Sequence, residues 1–229
     1  MDTPFIAKAY HDAGWAVVPL RPGEKRADSH WTKKTYKPSD FKIDDGIAGK
    51  CGEPSGHRVD VDLDCQEAIL LAPALLFNTG LIHGRPGKPN SHYWFVCNGI
   101  KTTQFTDTKD AGNKMLVEIR STGGYTMLPP SRHPSGDVLT WSIERDPLIV
   151  TDPAELYEIV CDVALASFVL RHWNQLTHAS MGHLAGFWLH GGVTPARLRR
   201  LFTAIGAHAP GSYAREILEF AEHTIAKHE

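Results

Sequence analysis

The sequence predicts an α+β protein in two parts, and three observations carry that prediction. Apolar and charged residues alternate strictly through Arg58-Val59-Asp60-Val61-Asp62-Leu63-Asp64, the two-residue period of a β-strand. Further extended stretches follow at 91–96, 115–120, 125–128 and 138–143, broken by Gly- and Pro-rich turns. From Asp152-Pro153, an N-cap followed by a first-turn proline, the pattern becomes helical with no convincing strand. Strands first and helices after put a boundary near residue 150, with a mixed domain over 1–150 and a small all-helical bundle over 151–229.

Composition narrows the function. The 229 residues carry 24 Lys+Arg against 26 Asp+Glu, a net charge of −2, so no global basic footprint marks a nucleic-acid binder and any such binding rests on local patches. Four scattered cysteines form no C-x-x-C pair, which argues against a zinc ribbon or a disulfide framework and reads as reduced, buried thiols. No apolar run approaches the ~20 residues of a membrane span. With no basic-then-apolar leader either, the expectation is a cytoplasmic protein without a membrane partner.

In chain order, Thr3-Pro4 caps and opens a first helix that Gly14 closes, and Trp15 to Leu20 reads as a strand. The loop from Arg21 to Lys37 holds six basic residues against two acidic ones, with Trp31 and Tyr36 among them. That composition suits phosphate or template, and equally a solvated surface loop. A short strand at Gly46-Ile47-Ala48 and a turn at Pro54-Ser55-Gly56 precede the Asp strand. Residues 66–77 look helical, with Pro73 expected to kink or split the segment.

Leu81 to Arg85 is a strand, and the basic turn Gly84-Arg85-Pro86-Gly87-Lys88-Pro89 leads to another at Ser91 to Val96. There Ser91, Tyr93 and Phe95 point one way and His92, Trp94 and Val96 the other. Met115 to Arg120 puts Glu118 and Arg120 on one face; after the Gly123-Gly124 turn, Tyr125 to Leu128 is expected as its return strand. In the helical part, Thr194-Pro195 starts a helix, Gly191-Gly192 separates two, and Ala209-Pro210-Gly211 begins the last. Arg197, Arg199 and Arg200 read as a solvated helix face, and the histidines, lacking H-E-x-x-H, as surface or core-edge residues.

The chemistry centres on the Asp strand. Carboxylates about 7 Å apart on one strand face repel unless something positive covers them, and a divalent metal is the economical cover. A calcium loop fits poorly, since Cys65 stands where that loop needs Gly and Leu71 where it needs Glu. The expected setting is an exposed strand face. Three strands carry polar residues suited to one site: Asp60/Asp62/Asp64, Ser91-His92 and Glu118/Arg120. Two-metal phosphoryl or nucleotidyl transfer needs about three carboxylates, plus cationic or hydrogen-bonding groups for the phosphates. A plain Glu118–Arg120 ion pair is the alternative for that strand.

The order Gly14-Trp15, Val18-Pro19-Leu20, Pro22-Gly23, Lys25, Gly46-Ile47, Ser55-Gly56, Asp60-Val61-Asp62, Ser91-His92-Tyr93-Trp94-Phe95, Glu118-Ile119-Arg120-Ser121, Gly123-Gly124-Tyr125, Pro129-Pro130-Ser131, His133 and Gly136 resembles the bifunctional DNA primase/polymerase (prim-pol) domain. That domain belongs to the archaeo-eukaryotic primase superfamily and occurs in phage and plasmid replication proteins. The resemblance covers residues 10–143. It implies an RRM-like palm with an N-terminal α/β module, followed here by the helix bundle, and template-directed nucleotidyl transfer with two divalent ions, Mg²⁺ or Mn²⁺.

Carried over by position, the resemblance makes Asp60, Asp62 and Glu118 the metal ligands, with Asp64 outside the motif. His92 becomes the phosphate-contacting histidine and Arg120 a phosphate contact, while Ser91, Lys25, Arg85 and Lys88 complete the expected nucleotide-binding set. The family's third acidic residue is often Asp, so Glu118 brings a longer reach. The implied partners are a single-stranded DNA template, dNTPs or NTPs, and a helicase domain or partner beyond residue 229; the implied compartment is the cytoplasm, of the host if the gene is a phage's. Two other readings use the same residues. A metal-dependent nuclease or phosphodiesterase needs the carboxylates but not the basic and Gly-rich equipment around them. A non-catalytic RRM-like binding module is disfavoured by carboxylates that would repel the phosphates it has to hold.

Overall fold

The computed structural model describes residues 2–109, 112, 114–209 and 213–227. The chain forms two compact units, one from 1–64, 78–104 and 117–158 and the other from 65–77, 105–116 and 159–229. The fold is mixed α+β, built on largely antiparallel sheets and, among the described residues, six α-helices.

The first unit opens with α1 (Thr3–Asp12). Its N-cap is Asp2, whose carboxylate accepts the Phe5 N–H, and not Thr3, whose hydroxyl donates to the Asp45 carbonyl at 3.0 Å. Gly14, at φ +81°, turns the chain out of the helix. Three strands, β1 (Val17–Leu20), β2 (Gly46–Lys50) and β8 (Tyr125–Leu128), form a small antiparallel sheet in the order β1-β2-β8.

The larger sheet runs β6 (Thr103–Thr106), β7 (Met115–Arg120), β3 (Arg58–Leu63), β5 (Lys88–Val96), β4 (Leu81–Arg85) and β9 (Thr140–Glu144), with β10 (Leu148–Ile149) parallel to the end of β5. Between the two sheets lies a core of Trp15, Val17, Val18, Ile47, Trp94, Met127 and Leu128. Trp15 stacks edge-on against Trp94 at 4.8 Å between centroids.

Two expectations are corrected here. Tyr125 to Leu128 is not the return strand of β7: it pairs with β2, Leu128 opposite Ile47, and so belongs to the other sheet. Burial of Met127 and Leu128 in the inter-sheet core decides this, and Ser131 locks it by hydrogen-bonding both backbone groups of Ile47. The Asp strand is not half exposed either, because Val59 through Leu63 are all buried. Its Asp face looks toward the small sheet, from which Thr126 reaches Asp60.

In the second unit α2 (Gln66–Leu75) runs through Pro73 without splitting and ends two residues beyond it. Asp152 caps α3 (Pro153–Arg171) through the Ala154 N–H, and Thr194 caps α5 (Pro195–His208), which follows α4 (His178–His190) after Gly191-Gly192. The last helix, α6, spans Tyr213–Ala226, and its expected start at Pro210-Gly211 lies outside the described residues.

The Arg197-Arg199-Arg200 run is not a plain solvated face. Arg197 and Arg200 grip the buried Asp162 at 2.7 and 3.1 Å, and Arg199 reaches Glu222 at 3.0 Å. His172 Nε2 donates to the carboxylate of the buried Asp107 at 2.7 Å, a structural contact inside the same unit. None of the four cysteines is in a disulfide, and no described helix is long and apolar enough to cross a membrane.

Candidate active site

Strand register assembles the site. Asp62 on β3 stands opposite His92 on β5 and opposite Glu118 on β7; one row deeper, Asp60 stands opposite Trp94 and Arg120. Directly paired residues share a face, so these six side chains, from three adjacent strands, look the same way. Asp64 lies just beyond the end of β3.

The carboxylates that gather are Asp62, Asp64 and Glu118, each offering an oxygen within 4.8 Å of the others. Asp62 Oδ1 is buried and, among the described residues, has no hydrogen-bond partner, with Lys88 Nζ 3.5 Å away as its ion-pair neighbour. A buried carboxylate oxygen left without a donor, beside two more acidic groups, fits a divalent cation, and an all-oxygen set suits Mg²⁺ or Mn²⁺ rather than zinc. Asp60 is placed differently. It is fully buried, accepts from the Thr126 hydroxyl at 2.6 Å and meets His92 Nδ1 at 3.0 Å. The acidic group is thus shifted one strand repeat from Asp60, Asp62 and Glu118. The alternating pattern puts three Asp on one face without saying which end opens, and β8 closes the Asp60 end.

Arg120 spans the cluster: Nη2 lies 2.5 Å from Asp62, Nε 2.7 Å from Glu118 and Nη1 3.6 Å from Asp60. Lys88 Nζ sits 2.8 Å from Asp64 and 3.5 Å from Asp62. Burial alone would raise the Asp62 carboxyl, but His92, Arg120, Lys88 and Lys25 hold it well below the usual carboxylate range. Asp64 goes the other way, pushed up by burial and by Asp62 beside it. For His92, burial opposes the charged ring, yet Asp62 and Asp60 outweigh it and raise the pKa.

These groups open on a cavity of about 300 Å³. Lys25, Asp62, Arg85, Lys88, Ser91, His92 and Arg120 all line it, so seven of the residues picked from sequence meet in one place; Asp60 and Glu118 are not on its wall. Ser91, expected on the face away from His92, lines it from a position near the irregular β4–β5 pairing. Arg85 is already paired to Asp137 at 2.7 Å. Lys25 has no carboxylate within 4 Å among the described residues, and burial lowers its pKa.

Sequence reasoning missed several neighbours. Tyr125 and His133 stood in the quoted motif blocks but were given no role; burial and nearby Lys25 and Arg85 push His133 down to about 4, leaving it neutral at pH 7. Thr126 and His83 carried no signal at all, being a lone hydroxyl and a lone histidine in apolar strands.

Residues 7–158 match the family model for bifunctional DNA primase/polymerase, N-terminal. The chain belongs to this family. The match runs from α1 into α3 and includes every strand, so the carboxylates and the cavity lie inside the primase/polymerase domain. A comparison with the curated proteins finds no match.

Proposed function

We propose that this prim-pol domain makes and extends primers on single-stranded DNA by template-directed nucleotidyl transfer, in the replication of a phage or plasmid. The observation that carries the reading is a cavity lined both by Asp62 and Asp64 of the acidic group and by a set of basic side chains. Asp62, Asp64 and Glu118 would hold two divalent ions, Mg²⁺ or Mn²⁺. Such ions, when bound, would activate the attacking hydroxyl and stabilise the charge of the leaving pyrophosphate.

The chain's own groups do the rest. Lys25, Lys88 and Arg85 supply positive charge for the triphosphate, and the His92 ring presents Nε2 to a phosphate oxygen while Asp60 holds Nδ1. Arg120 keeps the carboxylates together and restrains their mutual repulsion. So many cations on one wall suit a triphosphate better than the lone phosphodiester a nuclease cleaves.

The test is primer extension and de novo synthesis on single-stranded DNA with labelled dNTPs or NTPs and Mg²⁺ or Mn²⁺, beside an Asp62→Asn/Asp64→Asn variant. Metal-dependent products absent from the variant are expected. Template degradation in their place would move the site to the nuclease reading.

A further inference from the structure

We propose that His83 is a positioning residue for His92, a neutral imidazole floor that fixes the ring plane of its neighbour and leaves Nε2 to the nucleotide. This rests on the reading of His92 as a phosphate contact.

His83 on β4 stands directly opposite His92 on β5, and the two rings stack with centroids 4.3 Å apart and planes within 7°. His83 is wholly buried, and both of its nitrogens are committed: Trp94 Nε1 donates to Nδ1 at 3.0 Å, and Nε2 meets the Met127 carbonyl at 3.2 Å. An indole N–H can only donate and a carbonyl can only accept, so Nδ1 is bare and Nε2 carries the proton. The ring is therefore held neutral and in one tautomer. Trp141 closes on it edge-on at 4.9 Å.

The backbone is arranged around this placement. The β4 pairings lose register on both sides of His83, toward β9 between Ile82 and His83 and toward β5 between His83 and Arg85. Irregularities of this kind re-aim side chains beside sites. Gly84, next in sequence, admits an approach no other residue could, since a Cβ there would meet Asn90 N at 2.5 Å. With Asp60 on Nδ1 and His83 on its face, the His92 ring has one orientation, and among the described residues Nε2 has no partner.

Two substitutions separate ring from polarity. His83→Gln keeps an acceptor for Trp94 and a donor for Met127 but removes the stack, whereas His83→Phe keeps the stack and orphans both partners. With dATP on a primed template, His83→Gln is expected to raise KM about 5- to 10-fold with kcat changed less than about twofold, and His83→Phe to keep KM within about twofold despite a lower Tm.

Imidazole ¹H–¹⁵N spectra supply a readout other than turnover. Wild type should show one neutral Nε2–H ring that His83→Gln lacks, and a His92 signal, assigned by its loss in His92→Ala, that shifts in His83→Gln. A wild-type KM in His83→Gln, an equal rise in both variants, or an unmoved His92 signal overturns the proposal. A His92→Ala variant with unchanged KM for dATP overturns the phosphate reading itself, a different failure visible in a different protein.

Discussion

Asp62 and Glu118 face each other across neighbouring antiparallel strands, and one guanidinium, that of Arg120, bridges them. Replacing Asp62 with Asn, or Glu118 with Gln, keeps volume and removes one negative charge from the group that would hold the ions. Nucleotide addition should fall about 10²- to 10³-fold in either variant. Far-UV circular dichroism should stay native, while Mn²⁺ binding followed by electron paramagnetic resonance weakens. Either variant retaining full activity would show that the ions are held elsewhere.

Asp60 should behave as a core residue. It is 0 % exposed and serves Thr126, His92 and Arg120 together, so Asp60→Ala strands several polar groups in a dry interior. A loss of about 2–4 kcal/mol in urea unfolding is expected. Asp62→Asn should cost less, because Arg120 keeps Glu118 and Asp60 as partners. Equal destabilisation by the two changes would contradict this division between a buried anchor and a ligand.

Lys25 and Lys88 share the cavity but not the same surroundings. Lys25 lies free of carboxylates within 4 Å among the described residues, whereas Lys88 rests on Asp64 and Asp62. Removing either positive charge should raise the KM for nucleotide about tenfold, the worth of one charge-assisted hydrogen bond. Their effects on divalent ions should differ. Lys88→Met uncovers Asp64 and should tighten Mn²⁺ binding measured without nucleotide, and Lys25→Met should leave it nearly unchanged. Weaker Mn²⁺ binding in Lys88→Met would mean that Lys88 supports the carboxylates rather than competing for them.

The alternation around Asp62 was enough to place a strand and a polar face, and the segments around His92 and Glu118 read as strands from their own patterns, because a period of two and the turn residues are local properties. What was not legible depends on contacts distant in sequence. That Asp64 and not Asp60 gathers with Asp62 and Glu118 depends on Thr126, 66 residues from Asp60, closing one end of the strand. Placing Tyr125 to Leu128 in the small sheet requires knowing that β2 offers an open edge and a core for Met127. Thr103 to Thr106 was passed over because the segment is short and polar at all but Phe105, with a pairing set by β7 and not by its own pattern. Arg197 and Arg200 looked solvated for the same reason, since Asp162 lies on another helix.

His83 should also make the fold sensitive to acid. Burial, and then the charge on His92, hold its pKa well below the ordinary 6.5. The unfolded chain therefore takes up a proton near that ordinary value while the folded chain does not, so below it the unfolded state binds more protons and stability falls with pH. His92 contributes with the opposite sign because its pKa is raised, but it is present in wild type and variant alike. The informative quantity is the difference. From about pH 7.5 to about pH 5, urea unfolding should show wild type losing more stability than His83→Gln, by at most about 1.4 kcal/mol per pH unit. Parallel curves for the two proteins would mean that His83 titrates alike in the folded and unfolded chain, which a ring pinned between the Trp94 indole and the Met127 carbonyl does not allow.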